Sequence, residues 1–207
     1  MKKTVFVNLL LLLVVNVIAQ KKNNDATIGI RAGANFANII KTNDKNFATQ
    51  IKAGFNVGTF IDIPIVSILS LQPELQFSQK GYITNGSAFG NNYEYSVTTN
   101  FIEVPILAKL KPTKDFAVLV GPQYSFLTST STKLKSGNNA IINNVNEDNN
   151  NLRKNILGGV IGLEATSNNV IIGLRYSLDF QRNNGDGTST TPSYKNQVLA
   201  VMVGFKF

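Results

Sequence analysis

The 207-residue chain is long enough for one medium-sized domain, holds no cysteine and no histidine, and carries a formal charge of +8. Without cysteine, an exported domain of this size must be held by its core, by sheet closure or by lipid contact rather than by disulfides. Without histidine, imidazole acid–base chemistry, Ser–His and Cys–His nucleophiles and imidazole metal ligands are excluded together.

Residues 1–19 read as an export signal. Lys2 and Lys3 form a positive n-region, residues 5–18 an almost unbroken apolar run, and Val17 and Ala19 the small or modest residues of a cleavage site before Gln20. The apolar run is short for a span, which needs roughly 20 residues. Cleavage would leave a domain over residues 20–207 with a charge of +6. That excess reads as solvated surface, with attraction to anionic partners such as lipopolysaccharide phosphates as the functional alternative. No later segment reaches ~18 consecutive apolar residues, so no transmembrane helix is expected.

Period-two alternation predicts eight strands: residues 27–36, 50–62, 68–80, 99–111, 116–129, 155–165, 170–182 and 195–207. Most exceed the roughly 5–6 residues of a soluble strand and match the ~9–11 residues of a tilted membrane strand. The connections alternate between short (63–67, 112–115, 166–169) and long (37–49, 81–98, 130–154, 183–194). Short turns at one end and long loops at the other are the asymmetry of an up-and-down outer-membrane barrel, with both termini on the short-turn side. The Asn-rich stretch 136–151 cannot bury a core and is expected to be a mobile loop.

Two barrels fit such alternation, a soluble one with its apolar face inside and a membrane one with that face on lipid. The glycines decide between them. Gly29, Gly33, Gly54, Gly58, Gly121, Gly158, Gly162, Gly173 and Gly204 fall in the polar phase. A solvated strand face gains nothing from glycine, whereas the narrow bore of an eight-stranded barrel has little room and accommodates small residues. The expected fold class is therefore all-β, an eight-stranded antiparallel up-and-down transmembrane β-barrel in the bacterial outer membrane. Its lumen would carry Arg31, Lys52, Lys109 and Arg175 against Glu74, Glu103, Glu164 and Asp179, a structural charge network, since buried charges must be paired. Residues 101–110 are apolar in both phases and leave their facing open. Pro73, Pro105 and Pro122 predict a bulge or an interruption of pairing at each position.

The segments Gly29-Ile-Arg-Ala-Gly-Ala-Asn-Phe36, Leu71-Gln-Pro-Glu-Leu-Gln-Phe-Ser-Gln-Lys-Gly81, Phe101-Ile-Glu-Val-Pro-Ile-Leu107 and Gly121-Pro-Gln-Tyr124, in this order, resemble the PorT-like outer-membrane β-barrel family of Bacteroidetes-type bacteria. The resemblance runs over nearly all of residues 28–207. It implies an eight-stranded outer-membrane barrel and, through the name-giving member, an association with protein secretion. It carries no functional residue across. Glu74 and Glu103 lie inside these segments and would pair with lumen Lys or Arg.

Catalytic chemistry finds no foothold. Gly158-Gly159-Val-Ile-Gly162 lacks the spacing, the following helix and the Lys-Ser/Thr pair of a phosphate loop. No carboxylate pair stands out as an acid/base set, and Glu147 with Asp148 or Asp179 with Asp186 is thin for a metal. Basic residues do not interleave with aromatics as nucleic-acid binding requires. The chain is thus expected to be no enzyme and to hold no cofactor. Its expected partners are outer-membrane lipid and lipopolysaccharide, with other envelope or secretion proteins beside them. A structural or interaction role stands first, with an accessory part in protein secretion or envelope assembly as its finer form. Surface binding, adhesin-like, through the long extracellular loops is the alternative, and a small-solute channel comes last.

Overall fold

The computed structural model describes residues 26–41, 48–88, 91–136, 139–145, 152–184 and 193–207. The expected export signal, Glu147, Asp148 and Asp186 lie outside the described residues. The strands are β1 (Thr27–Lys41), β2 (Thr49–Gln50), β3 (Lys52–Val66), β4 (Leu69–Ala88), β5 (Asn91–Leu110), β6 (Phe116–Ser136), β7 (Asn139–Val145), β8 (Asn155–Ser167), β9 (Val170–Asp179) and β10 (Tyr194–Lys206). Every pairing between them is antiparallel.

Eight of these strands close a ring in the order β1, β3, β4, β5, β6, β8, β9, β10. The short β2 pairs with the far part of β4, and β7 folds back on the far part of β6. Closure comes from β1 and β10, paired from Gly29↔Lys206 to Lys41↔Tyr194. The Phe207 amide extends it by donating to Ile28 O at 2.9 Å. No helix of the described residues is long and apolar enough to cross a membrane.

The outer face is apolar. Ile28, Ile30, Phe55, Val57, Leu75, Val120, Ile161, Ile172, Val201 and Val203 are all exposed on it. Each strand contributes a stretch of about nine residues, such as 28–36 on β1, 102–110 on β5 and 157–165 on β8, the length that carries a tilted strand through hydrocarbon. A polar row ends this belt on the long-hairpin side. Gln79 Nε2 donates to Asn100 Oδ1 at 3.1 Å, and Asn100 Nδ2 donates to Ser129 Oγ at 2.8 Å.

The facing of β5 is now fixed. Phe101, Glu103, Leu107 and Lys109 are buried, while Ile102, Val104, Ile106 and Leu110 are on the lipid side. At each proline the pairing is interrupted without a slip. Phe60↔Glu74 and Ile63↔Leu71 flank Pro73, Pro73↔Ile106 and Gln76↔Glu103 flank Pro105, and Pro105↔Gln123 and Ala108↔Val120 flank Pro122, each with one register on both sides. The bulges fall elsewhere, at Pro64/Val66, Asn100/Phe101 and Thr132/Leu134.

The expected long loops are shorter than the sequence suggests. β4 and β5 stay paired through the expected loop 81–98, as far as Ala88↔Asn91. β6 runs to Ser136, and β7 occupies part of the Asn-rich stretch expected to be a mobile loop. Beyond the membrane the outer face of a strand meets water instead of lipid, so the apolar alternation fades while backbone pairing continues. β9, by contrast, stops at Asp179, short of the expected Arg182.

The inward glycines bring neighbouring strands close. A Cβ on Gly54 would lie 2.6 Å from Gln79 O, and one on Gly58 would lie 2.5 Å from Leu75 O. Gly173 differs, since its Cβ would meet Glu164 Cγ at 3.6 Å, Leu163 O at 3.7 Å and Met202 Cε at 4.0 Å, all ordinary van der Waals contacts. Gly54→Ala is therefore expected to destabilise the barrel by about 1–3 kcal/mol, as overpacking does, and Gly173→Ala to be accommodated, in urea unfolding from micelles. Deletion of residues 203–207 removes the partners of Gly29–Ala32 and leaves two open edges. The shortened chain should fail to give the heat-modifiable band of a folded barrel on gels.

Candidate functional site in the barrel lumen

Alternation sends one face of every ring strand into the bore, and charged side chains from opposite walls meet there. Arg175 of β9 forks onto Glu74 of β4, with NH1–Oε2 at 2.6 Å and NH2–Oε1 at 2.8 Å. Its NH2 also reaches Glu164 Oε1 of β8 at 3.0 Å. Arg31 of β1 touches the same two carboxylates, Glu164 at 3.0 Å and Glu74 at 3.4 Å. Lys109 of β5 pairs with Glu164 Oε2 at 2.8 Å and Asp62 Oδ2 at 3.3 Å, and Lys111 joins Asp62 at 2.9 Å. Gln72 ties the group together, accepting from Lys109 at 3.0 Å and donating to Glu74 at 2.6 Å.

A second group lies towards the long hairpins. Lys80 of β4 sits between Glu103 at 2.7 Å and Asp179 at 3.4 Å, with its side chain 1% exposed. Glu103 also accepts from Gln76, Gln123 and Ser125 at 2.9, 2.9 and 3.1 Å. Asp179 accepts from Asn196 Nδ2 at 2.6 Å. Bidentate and charge-assisted bonds of this kind offset the cost of holding ions away from water.

Aromatic and aliphatic groups bracket the ions. Arg31 lies 4.3 Å from the centroid of the Phe60 ring, and Lys80 lies 5.1 Å from that of Phe101. Above Lys80, Ile39, Tyr82, Val97 and Tyr194 pack into a buried apolar cap, with the two tyrosine rings edge-on at 5.3 Å. Leu107, Leu119 and Val160 form an apolar stripe on the wall of β5, β6 and β8.

Of the eight charged residues expected in the lumen, the structure brings Arg31, Glu74, Glu164, Lys109 and Arg175 into one group and Glu103 and Asp179 into another. Lys52 stands apart. Its Nζ donates to Ser96 Oγ at 2.8 Å, and none of these ion pairs includes it. β3 begins at Lys52, four residues beyond its first pair with β4, Asn56↔Ser78, where strand phase no longer implies a place in the bore. Sequence reasoning missed Lys80, the hub of the second group, together with Asp62 and Lys111. Lys80 lies in phase with Glu74 and Ser78 at the end of the expected strand, a signal that was present. Among the described residues, no group of three acidic side chains could hold a metal ion.

The family described as outer membrane protein beta-barrel domain matches residues 18–185. A search of curated proteins gives no match. Among solved structures, Neisserial surface protein A is similar at a TM-score of 0.51 and 13% identity, over 89% of this chain and 100% of that one. The Ail attachment invasion locus protein of Yersinia pestis, solved with the heparin analogue sucrose octasulfate, gives 0.46 and 11% over 89% and 100%. OprG of Pseudomonas aeruginosa gives 0.32 and 9% over 88% and 94%. At 13% identity the likeness to Neisserial surface protein A is one of fold alone.

Lys80 supplies the test of the lumen. Lys80→Met leaves Glu103 and Asp179 buried without their cation, a loss expected to cost about 3–5 kcal/mol in urea unfolding. Neutralising both carboxylates in the same chain (Glu103→Gln, Asp179→Asn) should recover most of it. Lys52→Met should change stability by less than about 0.5 kcal/mol.

Proposed function

The chain belongs to the outer membrane protein beta-barrel domain family, and from that premise we propose that it is a side-chain-filled outer-membrane barrel with a structural or interaction role. The lumen carries this reading. Among the described residues, five cations (Arg31, Lys80, Lys109, Lys111, Arg175) interlock with five carboxylates (Asp62, Glu74, Glu103, Glu164, Asp179) across the bore. An eight-stranded bore is just wide enough for side chains to fill, and the apolar cap of Tyr82 and Tyr194 closes it above. This favours a plug over a path for solutes, and the reading contains no catalytic step.

The material for interaction lies beyond the belt. From the polar row at Gln79 and Asn100, β4 and β5 continue as a paired hairpin to Ala88↔Asn91, with β6 and β7 beside them. At roughly 3.3 Å per residue this sheet stands some 25–30 Å along the strand direction. The likeness of the segments around Glu74 and Glu103 to PorT-like barrels supports a protein-secretion or envelope-assembly complex as the partner. The same hairpins support surface binding as the second reading.

Reconstituted in planar bilayers, the protein should give no steady current, and reproducible open-channel conductance would put the solute-channel reading first. The interaction reading is tested by shortening the hairpin. Tyr82 and Val97 are cross-strand partners, so residues 83–96 can be replaced by an Asn-Gly turn. The shortened barrel should still fold but lose the envelope protein that the full chain captures from gently solubilised outer membranes.

A further inference from the structure

The outer face of the hairpin sheet continues the lipid-facing side across the bulge at Asn100/Phe101, where β6 carries the extra residue Thr128. Period two carries the face of Ile106, Val104 and Ile102 on β5 through Asn100 and Thr98 to Ser96 and Glu94. On β6 the register partners of these last four are Ser129, Ser131, Lys133 and Lys135. Lipid-facing apolar rows thus give way to an amide and hydroxyl row, and then to lysines.

Lys52 comes to the same place from β3, through its hydrogen bond to Ser96 Oγ at 2.8 Å, next to the register position of Lys133. Burial first, and the charge of Lys133 next, hold the Lys52 ammonium below its usual pKa, while Glu94 acts in the opposite direction. Lys135 is paired with Glu94 at 3.2 Å, with more than half of its side chain exposed. Glu94 is the carboxylate that acts on Lys52 and pairs with Lys135. The patch is therefore positive, with Lys133 and Lys135 exposed and Lys52 half-buried beside them. Ser96 lies four residues beyond Asn100, about 13 Å along the strand and nearer 10 Å along the membrane normal at a ~45° tilt. That is the level of the polar headgroup layer.

We propose that Lys52, Lys133 and Lys135 form a binding site for the phosphorylated headgroup of an outer-leaflet glycolipid. Its acyl chains would lie along Phe77, Ile102 and Phe126, and Asn100, Thr98 and Ser131 would offer hydrogen bonds to its sugar. Charge complementarity and continuity with the lipid-facing belt select a lipid over a soluble anion or an acidic protein. The site stands on the outer-membrane location alone and is independent of the plugged lumen and of any secretion partner.

The test is native mass spectrometry of the full mature chain released from micelles. The probes are bisphosphorylated hexa-acyl lipid A, the same lipid with its phosphates removed, and inorganic phosphate as competitor. The wild-type barrel should retain the bisphosphorylated lipid. Lys133→Gln with Lys135→Gln should reduce retention at least about tenfold, the scale expected for two basic residues at a charged surface. Glu94→Gln, which removes the opposing charge, should raise it, and this arm keeps the test open if the double variant loses its heat-modifiable band. Equal retention of the dephosphorylated lipid, or retention unchanged in both variants, overturns the site. Displacement by millimolar inorganic phosphate overturns the lipid as its ligand.

Discussion

Hydrocarbon offers a backbone amide no partner, and this one constraint organises the molecule. Every N–H and C=O in the belt has to be answered by a neighbouring strand, so the sheet must have no edge. The seam between β1 and β10 supplies that condition. Once it is closed, the chain acquires an inside and an outside whose chemistries are set by different surroundings. Lipid accepts Ile, Val, Leu and Phe outside, and the bore accepts only what can be packed or paired. The interruptions at Pro73, Pro105 and Pro122 keep to the same constraint, since the register is held on both sides of each.

Inside the bore, the sharing of partners matters more than the number of ion pairs. Glu164 is held by Arg31, Lys109 and Arg175, and Glu74 by Arg31, Arg175 and Gln72. A buried pair is weak grounds for stability because desolvation opposes the Coulomb gain. Shared partners change its consequence, since no ion can leave or rotate without uncovering a charge on the opposite wall. Such a core resists a second arrangement of side chains, which is the property a plug requires.

Much of this was legible in the sequence where the two faces of a strand meet different media. β1, β3 and β9 alternate Ile, Ala, Val, Leu and Phe with Gly, Asn and Arg, and their facing follows directly. β5 was opaque because Phe101 and Leu107 fill the bore while Ile102 and Val104 face lipid, so both phases are apolar. The extensions of β4, β5 and β6 were opaque for the opposite reason, as Ser, Thr and Asn on both faces resemble a loop although the backbone stays paired. The lumen grouping lay further out of reach. Arg31 and Glu164 sit on strands separated in the ring by β10 and β9, and their contact depends on the stagger of several strands at once. Alternation can say that Lys52, Lys80 and Asp62 share a phase with the other charges. It cannot say that Lys80 reaches the centre of the bore while Lys52 reaches Ser96 at the rim.

The lumen contacts also bear on the order of events during folding. Arg31 and Glu164 are 133 residues apart, Arg175 and Glu74 are 101, and Lys80 and Asp179 are 99. Hairpins between successive strands form from local contacts, whereas these ion pairs have nothing local to begin from. In an open or half-curled sheet each of their charges is still hydrated and contributes little. The interior therefore dehydrates late and in concert, when the last seam draws the opposite walls to salt-bridge distance. Until then the nascent barrel is a water-filled trough lined with ions, and closing the seam is the event that makes it a solid-cored cylinder.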